Sequence, residues 1–267
     1  MAVVTICTPH AHEVNPEYWR RIMHMQNETL QHTFAHVEID LMIIGKARNI
    51  LVEEVELSAP QCEVVWYIDN DVWIPPHSGQ LIDQAIKYGI VSGLYFNRWS
   101  PYTPQMYRFS GLPEEQGMYE AIVDYPEHGF IKADAVGAGC LAIRKDVLLK
   151  MKEYYTERLA SADALVLGLL KDNPKALQEY EWLMKYTRIL SPWFEFLDQR
   201  GEDFYFCERA ADADQMIWVN LDVKCEHLGL LPIHEGHFKY IKDNDLLVRM
   251  DIEGKPIVED KLPGEGA

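Results

Sequence analysis

Apolar positions in this chain are grouped in two ways. One kind is a short unbroken run: Val3-Val4-Thr5-Ile6-Cys7, Val64-Val65-Trp66-Tyr67-Ile68, Ile90-Val91-Ser92-Gly93-Leu94-Tyr95 and Ile217-Trp218-Val219-Asn220-Leu221. Continuous runs of this length suit strands buried on both faces of a largely parallel sheet. Phe34 to Asp40 instead alternates, as a half-exposed strand does. Between these runs the apolar spacing becomes helical. Pro16–Gln31 predicts a helix with Tyr18, Ile22, Met25 and Leu30 toward the core. A loop entering a helix is predicted over 43–52, and a helix over Ser78–Tyr88. Val147–Leu190 is helix-rich and broken at Asn173-Pro174. Strands alternating with helices predict an α/β fold.

Smaller features complete the pattern. Ala121–Asp134 predicts a β ribbon turning at Pro126-Glu127-His128-Gly129. Ala135–Ile143 reads as a small-residue loop feeding an apolar strand. The chain from His237 onward alternates around Asn244 and Glu253-Gly254, which predicts a terminal hairpin or arm able to pair subunits in a homo-oligomer. Lys261–Ala267 is expected to fray. No internal repeat or low-complexity segment is present.

Composition narrows this picture. The 267 residues suffice for one large or two small domains. A formal net charge of −17 opposes tight binding to nucleic-acid phosphates, so there is no strong nucleic-acid signal. Cys7, Cys62, Cys140, Cys207 and Cys225 are scattered without a CxxC pair, which points to reduced buried thiols and a cytoplasmic location. No apolar stretch has transmembrane length, and the N-terminus lacks the basic region and cleavage site of a secretory signal.

The chemistry concentrates after the run at Val64. Asp69-Asn70-Asp71 follows it directly, at the strand's carboxyl end, where open α/β sheets bind ligands. Two acids so placed repel unless a cation lies between them, and a divalent cation carrying a diphosphate fits. The bland alternative is a polar turn. Pro75-Pro76 precludes an immediate helix, so the acids are expected in an exposed loop. Lys46 and Arg48 sit near a helix start, suited to anionic oxygens or merely to a solvated face. Trp99, Tyr102 and Tyr107 lie among prolines, as a stacking platform for a sugar or base or as ordinary surface packing. Gly137 and Gly139 permit close backbone approach to a ligand or mark a bulge. Glu202-Asp203 opens a helix, where acids also serve the helix dipole. His227 follows a strand as a ligand or a structural histidine, and His234 and His237 form no recognised zinc spacing with it. The glycine-rich dinucleotide fingerprint is absent, which excludes a dehydrogenase of the usual Rossmann type.

Gly45-Lys46-Ala47-Arg48-Asn49, Tyr67-Ile68-Asp69-Asn70-Asp71, Gly93-Leu94-Tyr95, Val136-Gly137-Ala138-Gly139-Cys140, Pro192-Trp193-Phe194, Gly201-Glu202-Asp203-Phe204-Tyr205-Phe206-Cys207 and His227-Leu228-Gly229 occur in that order. Together they resemble the GT-A glycosyltransferases, near glycosyltransferase family 2 and its bacterial and phage relatives. The resemblance spans Val3 to about Gly229. It implies a Rossmann-like three-layer α/β/α sandwich with a mixed, mainly parallel central sheet. The catalytic domain would cover 1–230, with a helical insertion at about 147–191 that is longer than in many relatives, followed by a C-terminal extension at 231–267.

The resemblance also implies roles. Thr8 and Pro9 would border the base of a UDP- or GDP-sugar, with Arg48, Asp69 and Asn70 on its ribose and phosphates. Asp71 would bind Mn²⁺ or Mg²⁺ directly, Asp69 through water, and His227 as a further ligand. Asp203 would be the general base, with Glu202 near the acceptor hydroxyl. Trp99, Tyr102, Gly137, Gly139 and Trp193 would face the acceptor: a glycan, lipid-linked sugar, protein or modified base. The implied activity is a metal-dependent, inverting hexosyl transfer. The competing readings are a nucleotide-sugar-binding protein without catalysis, and a nucleotidyltransferase or metal phosphohydrolase.

Overall fold

The computed structural model describes residues 1–10, 14–40, 43–111, 118–171, 173–176, 178, 191–196, 201–229 and 232–243. Its centre is a seven-stranded sheet. In chain order the strands are β1 (Val3–His10), β2 (Thr33–Asp40), β3 (Val64–Ile68), β4 (Val72–Trp73), β5 (Ile90–Leu94), β6 (Met106–Phe109), β7 (Tyr119–Ala121), β8 (Phe130–Ala133), β9 (Ala135–Val136), β10 (Cys140–Arg144), β11 (Ile217–Lys224), β12 (Glu226–Leu228) and β13 (Pro232–Ile233). The central order is β2-β1-β3-β10-β5-β11-β8. β2, β1, β3, β5 and β11 run one way, and β10 and β8 run against their neighbours. The sheet is mixed and mainly parallel, as expected. Two three-stranded sheets flank it, β13-β12-β4 and β7-β6-β9.

Helices cover both faces. α1 (Pro16–Glu28) and α3 (Gln80–Tyr88) pack through Tyr18, Ile22, Met25, Leu81, Ile82 and Ala85 onto one face. α2 (Ile44–Ser58), α4 (Lys145–Leu170) and α5 (Glu202–Asp212) pack onto the other through Leu51, Val55, Leu148, Met151 and Phe206. β3 contributes to both cores. Val65 and Tyr67 enter one, and Val64, Trp66 and Ile68 enter the other. That is why its apolar run is unbroken. A sixth helix, α6 (Glu235–Asp243), follows β13. Among the described residues no helix is long and apolar enough to cross a membrane. The five cysteines are free and buried.

Some local expectations are corrected. α1 stops at Glu28, and Leu30 is exposed. The Thr29 hydroxyl donates to the Met25 carbonyl at 2.6 Å, and a turn follows. No ribbon forms over Ala121–Asp134. β7 pairs with the preceding strand β6, whereas β8 pairs with β11 on the edge of the central sheet, so the two join different sheets and not each other. The chain after Ile233 begins as a helix, not a strand. The expected hairpin around Asn244 and Glu253-Gly254 lies outside the described residues, as does 179–190. The break at Asn173-Pro174 is present: α4 ends at Leu170, and the Asn173 side chain accepts from the Ala176 amide at 3.2 Å.

Candidate functional site

The parallel strands deliver their carboxyl ends to one edge of the sheet. A cleft of about 600 Å³ opens there. Pro9 and His10 reach it from the end of β1, and Asp69-Asn70-Asp71 from the turn after β3. Tyr95, Asn97, Arg98, Trp99 and Gln105 enter from the chain after β5. β10 runs antiparallel, so Ala138, just before it, arrives at the same edge. Ile44 and Arg48 come from the start of α2, Glu202 and Asp203 from the start of α5, and His227 from β12.

Arg48 is the hub of one side. Its side chain is 3 % exposed. Nη2 donates to both Asp69 oxygens at 2.9 Å, and Nη1 donates to Glu202 Oε1. Burial opposes the charge of Arg48, but Asp69, Glu202 and Asp203 outweigh it and hold its pKa above the ordinary value. Burial pushes the Asp69 carboxyl up, and its acidic neighbours Asp71 and Glu202 add to this against the pull of Arg48. Arg48 therefore ties the strand-end acid to the helix-start acid rather than standing free for a ligand. Asn49, one residue on, is paired both ways with the Phe194 backbone at 2.5 and 3.0 Å, which anchors α2 to the segment before α5. Lys46 of the same turn is exposed.

Asp71 and His227 face each other on the opposite side. His227 Nε2 lies 3.4 Å from Asp71 Oδ2. Its Nδ1 lies 2.8 Å from the Phe96 carbonyl, which can only accept, so Nδ1 carries the proton. In the neutral imidazole, Nε2 then presents a lone pair to a carboxylate oxygen. Two acceptors so placed repel unless a cation, or a proton on Nε2, lies between them. Arg98 Nη1 reaches the same Oδ2 at 3.0 Å. Burial opposes the charge of Asp71, but Arg98 and a protonated His227, which then donates from Nε2, outweigh it and lower its pKa. The turn that carries Asp69 and Asp71 is half-buried, not the exposed loop expected; their side chains are 20 % and 29 % exposed.

Asp203 is poised differently. Its Oδ1 accepts from the Phe204 amide at 2.9 Å. Burial, then the neighbouring Glu202 charge, push its pKa to about 6, with Arg48 pulling the other way. A carboxylate titrating near neutrality in a cleft suits general base work. Four carboxylates line the cleft against two guanidinium groups, an excess of two negative charges when all are ionised.

This donor set bears on a divalent cation. Among the described residues, no three His, Cys, Asp or Glu side chains gather as a metal cluster. Asp71 and His227 nevertheless form a carboxylate–imidazole pair with a fixed tautomer. Magnesium-type ions commonly take one or two protein carboxylates and complete their shell from phosphate oxygens and water. The residues fit an ion that arrives with a diphosphate, and do not form a closed structural site.

Five expected contacts fall outside the cleft. Thr8 is buried, with its hydroxyl 2.6 Å from that of Tyr18; only its neighbour Pro9 lines the site. Tyr102 points to the far side of its loop, 5.8 Å from the His237 ring. Trp193 is buried in the core beneath α4, where its indole N–H donates to the Leu148 carbonyl at 2.9 Å. Gly137 and Gly139 are buried against Tyr95: a Cβ on Gly137 would lie 1.9 Å from the Tyr95 hydroxyl, and the Gly139 amide donates to that hydroxyl at 3.0 Å. The close approach that these glycines permit is to a side chain of this protein. The cleft in turn contains His10, Ile44, Tyr95, Gln105, Ala138 and Arg98, to which sequence reasoning gave no role. A lone arginine in an aromatic loop carries no signal of its own.

The fold and cleft define an α/β protein with an acidic cleft at the carboxyl edge of its sheet. No protein-family model and no curated protein matches the sequence. Among solved structures, A197 from STIV aligns over 100 % of this chain and 98 % of its own, at 13 % identity and a TM-score of 0.49. A glycosyltransferase involved in the glycosylation of the major capsid of PBCV-1 aligns over 81 % and 91 %, at 13 % identity and a TM-score of 0.32. The catalytic domain of Drosophila beta1,4galactosyltransferase 7, in complex with xylobiose, aligns over 82 % of this chain and 65 % of its own, at 11 % identity and a TM-score of 0.40. Likenesses this distant assign no role to any residue.

Proposed function

We propose that this protein is a metal-dependent glycosyltransferase that moves a sugar from a UDP- or GDP-sugar to an acceptor hydroxyl with inversion. The observation that carries the reading is the Asp71–His227 pair, two lone-pair donors 3.4 Å apart with the imidazole tautomer set by Phe96. An anionic diphosphate would be repelled by the excess of carboxylates in the cleft. An Mn²⁺ or Mg²⁺ ion held by Asp71 and His227 would cancel that excess and, as a Lewis acid, stabilise the charge on the departing diphosphate.

The chain's own residues supply the rest. Asp203, ionised above a pH of about 6, accepts the proton of the acceptor hydroxyl. The hydroxyl oxygen forms a bond to the anomeric carbon as the bond from that carbon to the diphosphate oxygen breaks, and the electron pair leaves with the nucleoside diphosphate. One base and one direct displacement invert the anomeric centre. Arg48 holds Asp69 and Glu202 in place on one wall of the cleft. Pro9 and His10 line the end of the cleft where a base and ribose would lie. Trp99, 66 % exposed at the rim, offers a face on which an acceptor can stack.

The test is product analysis. UDP- and GDP-sugars are incubated with the protein, with and without Mn²⁺, and the released nucleotide is identified. Metal-dependent release of nucleoside diphosphate, lost in Asp71→Ala, is expected. Release of nucleoside monophosphate would mean nucleotidyl or phosphohydrolase chemistry instead. Metal-dependent binding of the donor with no turnover of any acceptor would mean a binding protein.

A further inference from the structure

We propose that Arg98 is a placeholder cation for Asp71: it occupies the carboxylate while no divalent ion is bound, yields the position when one arrives, and then contacts the diphosphate. The inference rests on the functional reading above for the ion at Asp71.

The geometry is one of shared occupancy. Arg98 Nη1 and His227 Nε2 converge on a single oxygen, Asp71 Oδ2, at 3.0 and 3.4 Å. The Asp71 oxygen that faces the imidazole, on which a bridging ion would draw, is the one the guanidinium already holds. The two arginines of the cleft differ in their freedom to move. Arg48 is 3 % exposed and held by two acids. Arg98 is 46 % exposed and, among the described residues, forms its ion pair with Asp71 alone. An ion pair this exposed is weak and exchanges readily.

Its loop supports a side-chain swing without a backbone change. The base is clamped where Phe96 bridges to Pro104 and where the Asn97 amide donates to the Thr103 carbonyl at 2.8 Å. Arg98 lies one residue beyond that clamp, on the wall of the cleft. A guanidinium displaced from Asp71 thus stays beside the position of an incoming diphosphate, whose oxygens it can engage as a fork. The same side chain weakens binding of the ion alone and strengthens binding of the ion with nucleotide. The cleft would in this way favour loading of the two together.

The experiment measures Mn²⁺ binding by electron paramagnetic resonance, with and without UDP or GDP, in the full-length protein and in Arg98→Gln, Arg98→Lys and Asp71→Ala. Thermal melts confirm folding. In Arg98→Gln, Mn²⁺ alone should bind about two- to fivefold tighter, while nucleotide affinity in the presence of Mn²⁺ falls. Arg98→Lys, which keeps the charge, should stay near the native pattern. A merely structural role for Arg98 would not tighten metal binding. Unchanged or weaker Mn²⁺ affinity in Arg98→Gln, with native binding that Asp71→Ala abolishes, would overturn the placeholder and leave the transferase reading intact. Absence of Mn²⁺ binding in every variant, with and without nucleotide, would overturn both.

Discussion

Arg48 and Glu202 stand 154 residues apart in sequence and form a buried ion pair, with the same guanidinium reaching Asp69. One side chain thereby fixes the end of β3 to the start of α5. Removing it leaves two carboxylates in a site with 20 % and 10 % side-chain exposure. Breaking a buried pair from one side is costly. Arg48→Met should lower stability by about 3 kcal/mol in urea denaturation. A loss near zero would show that the acids are protonated or hydrated rather than paired.

Asp203 gives a prediction with opposite signs for stability and activity. Its pKa is raised from 3.8 to about 6, so the folded protein holds a proton that the unfolded chain releases between those values. Stability is present in full below pH 3.8 and is lost as pH rises through about 6. Asp203→Asn removes that cost. It should stabilise the protein by about 2 kcal/mol at pH 7.5 and give no such gain at pH 3.5, read from melting curves. Transfer should fall by about 10²- to 10⁴-fold in the same variant. Native activity should decline as pH drops below about 6, following loss of the ionised base.

Gly137 has no room for a methyl group. An added Cβ would meet the Tyr95 hydroxyl at 1.9 Å and its ring carbon at 2.9 Å. Gly137→Ala should cost about 1–3 kcal/mol as an overpacked core does. Tyr95→Phe in that background should recover part of the loss, and a double-mutant cycle should give a coupling of about 1 kcal/mol. Additive effects would place the strain elsewhere.

Trp193 separates packing from recognition. Buried beneath α4, it should behave as a core residue: Trp193→Ala should destabilise by about 3–5 kcal/mol. Trp193→Phe should cost less and leave donor binding unchanged, measured by calorimetry below its melting range. Loss of acceptor use in a stably folded Trp193→Phe protein would restore a role at the cleft.

The legible part of the site is the part fixed by local order. An unbroken apolar run such as Val64–Ile68 must be buried on both faces, so the polar residues that end it must emerge at an edge. Asp69 and Asp71 were found that way. Asp203 was found because it opens a helix with an apolar face. Trp193, Thr8 and Tyr102 show the limit. Whether an aromatic or a hydroxyl faces a cleft or a core depends on what packs against it, and the residues that bury these three come from α4, α1 and α6. The β ribbon failed for the same reason, since β8 pairs with β11 across 84 residues or more of chain.

Residue order alone points to an α/β chain with acids delivered to one edge of a mainly parallel sheet. Burial of apolar runs is a local property, and strand alternation with helices restricts how they can stack. Which charges meet is a product of long-range packing. It brought Arg48 to Glu202, turned His227 so that one nitrogen faces Asp71, and laid Arg98 over the same oxygen. Those distances depend on long-range packing and a shared low-dielectric cleft, which sequence spacing does not encode.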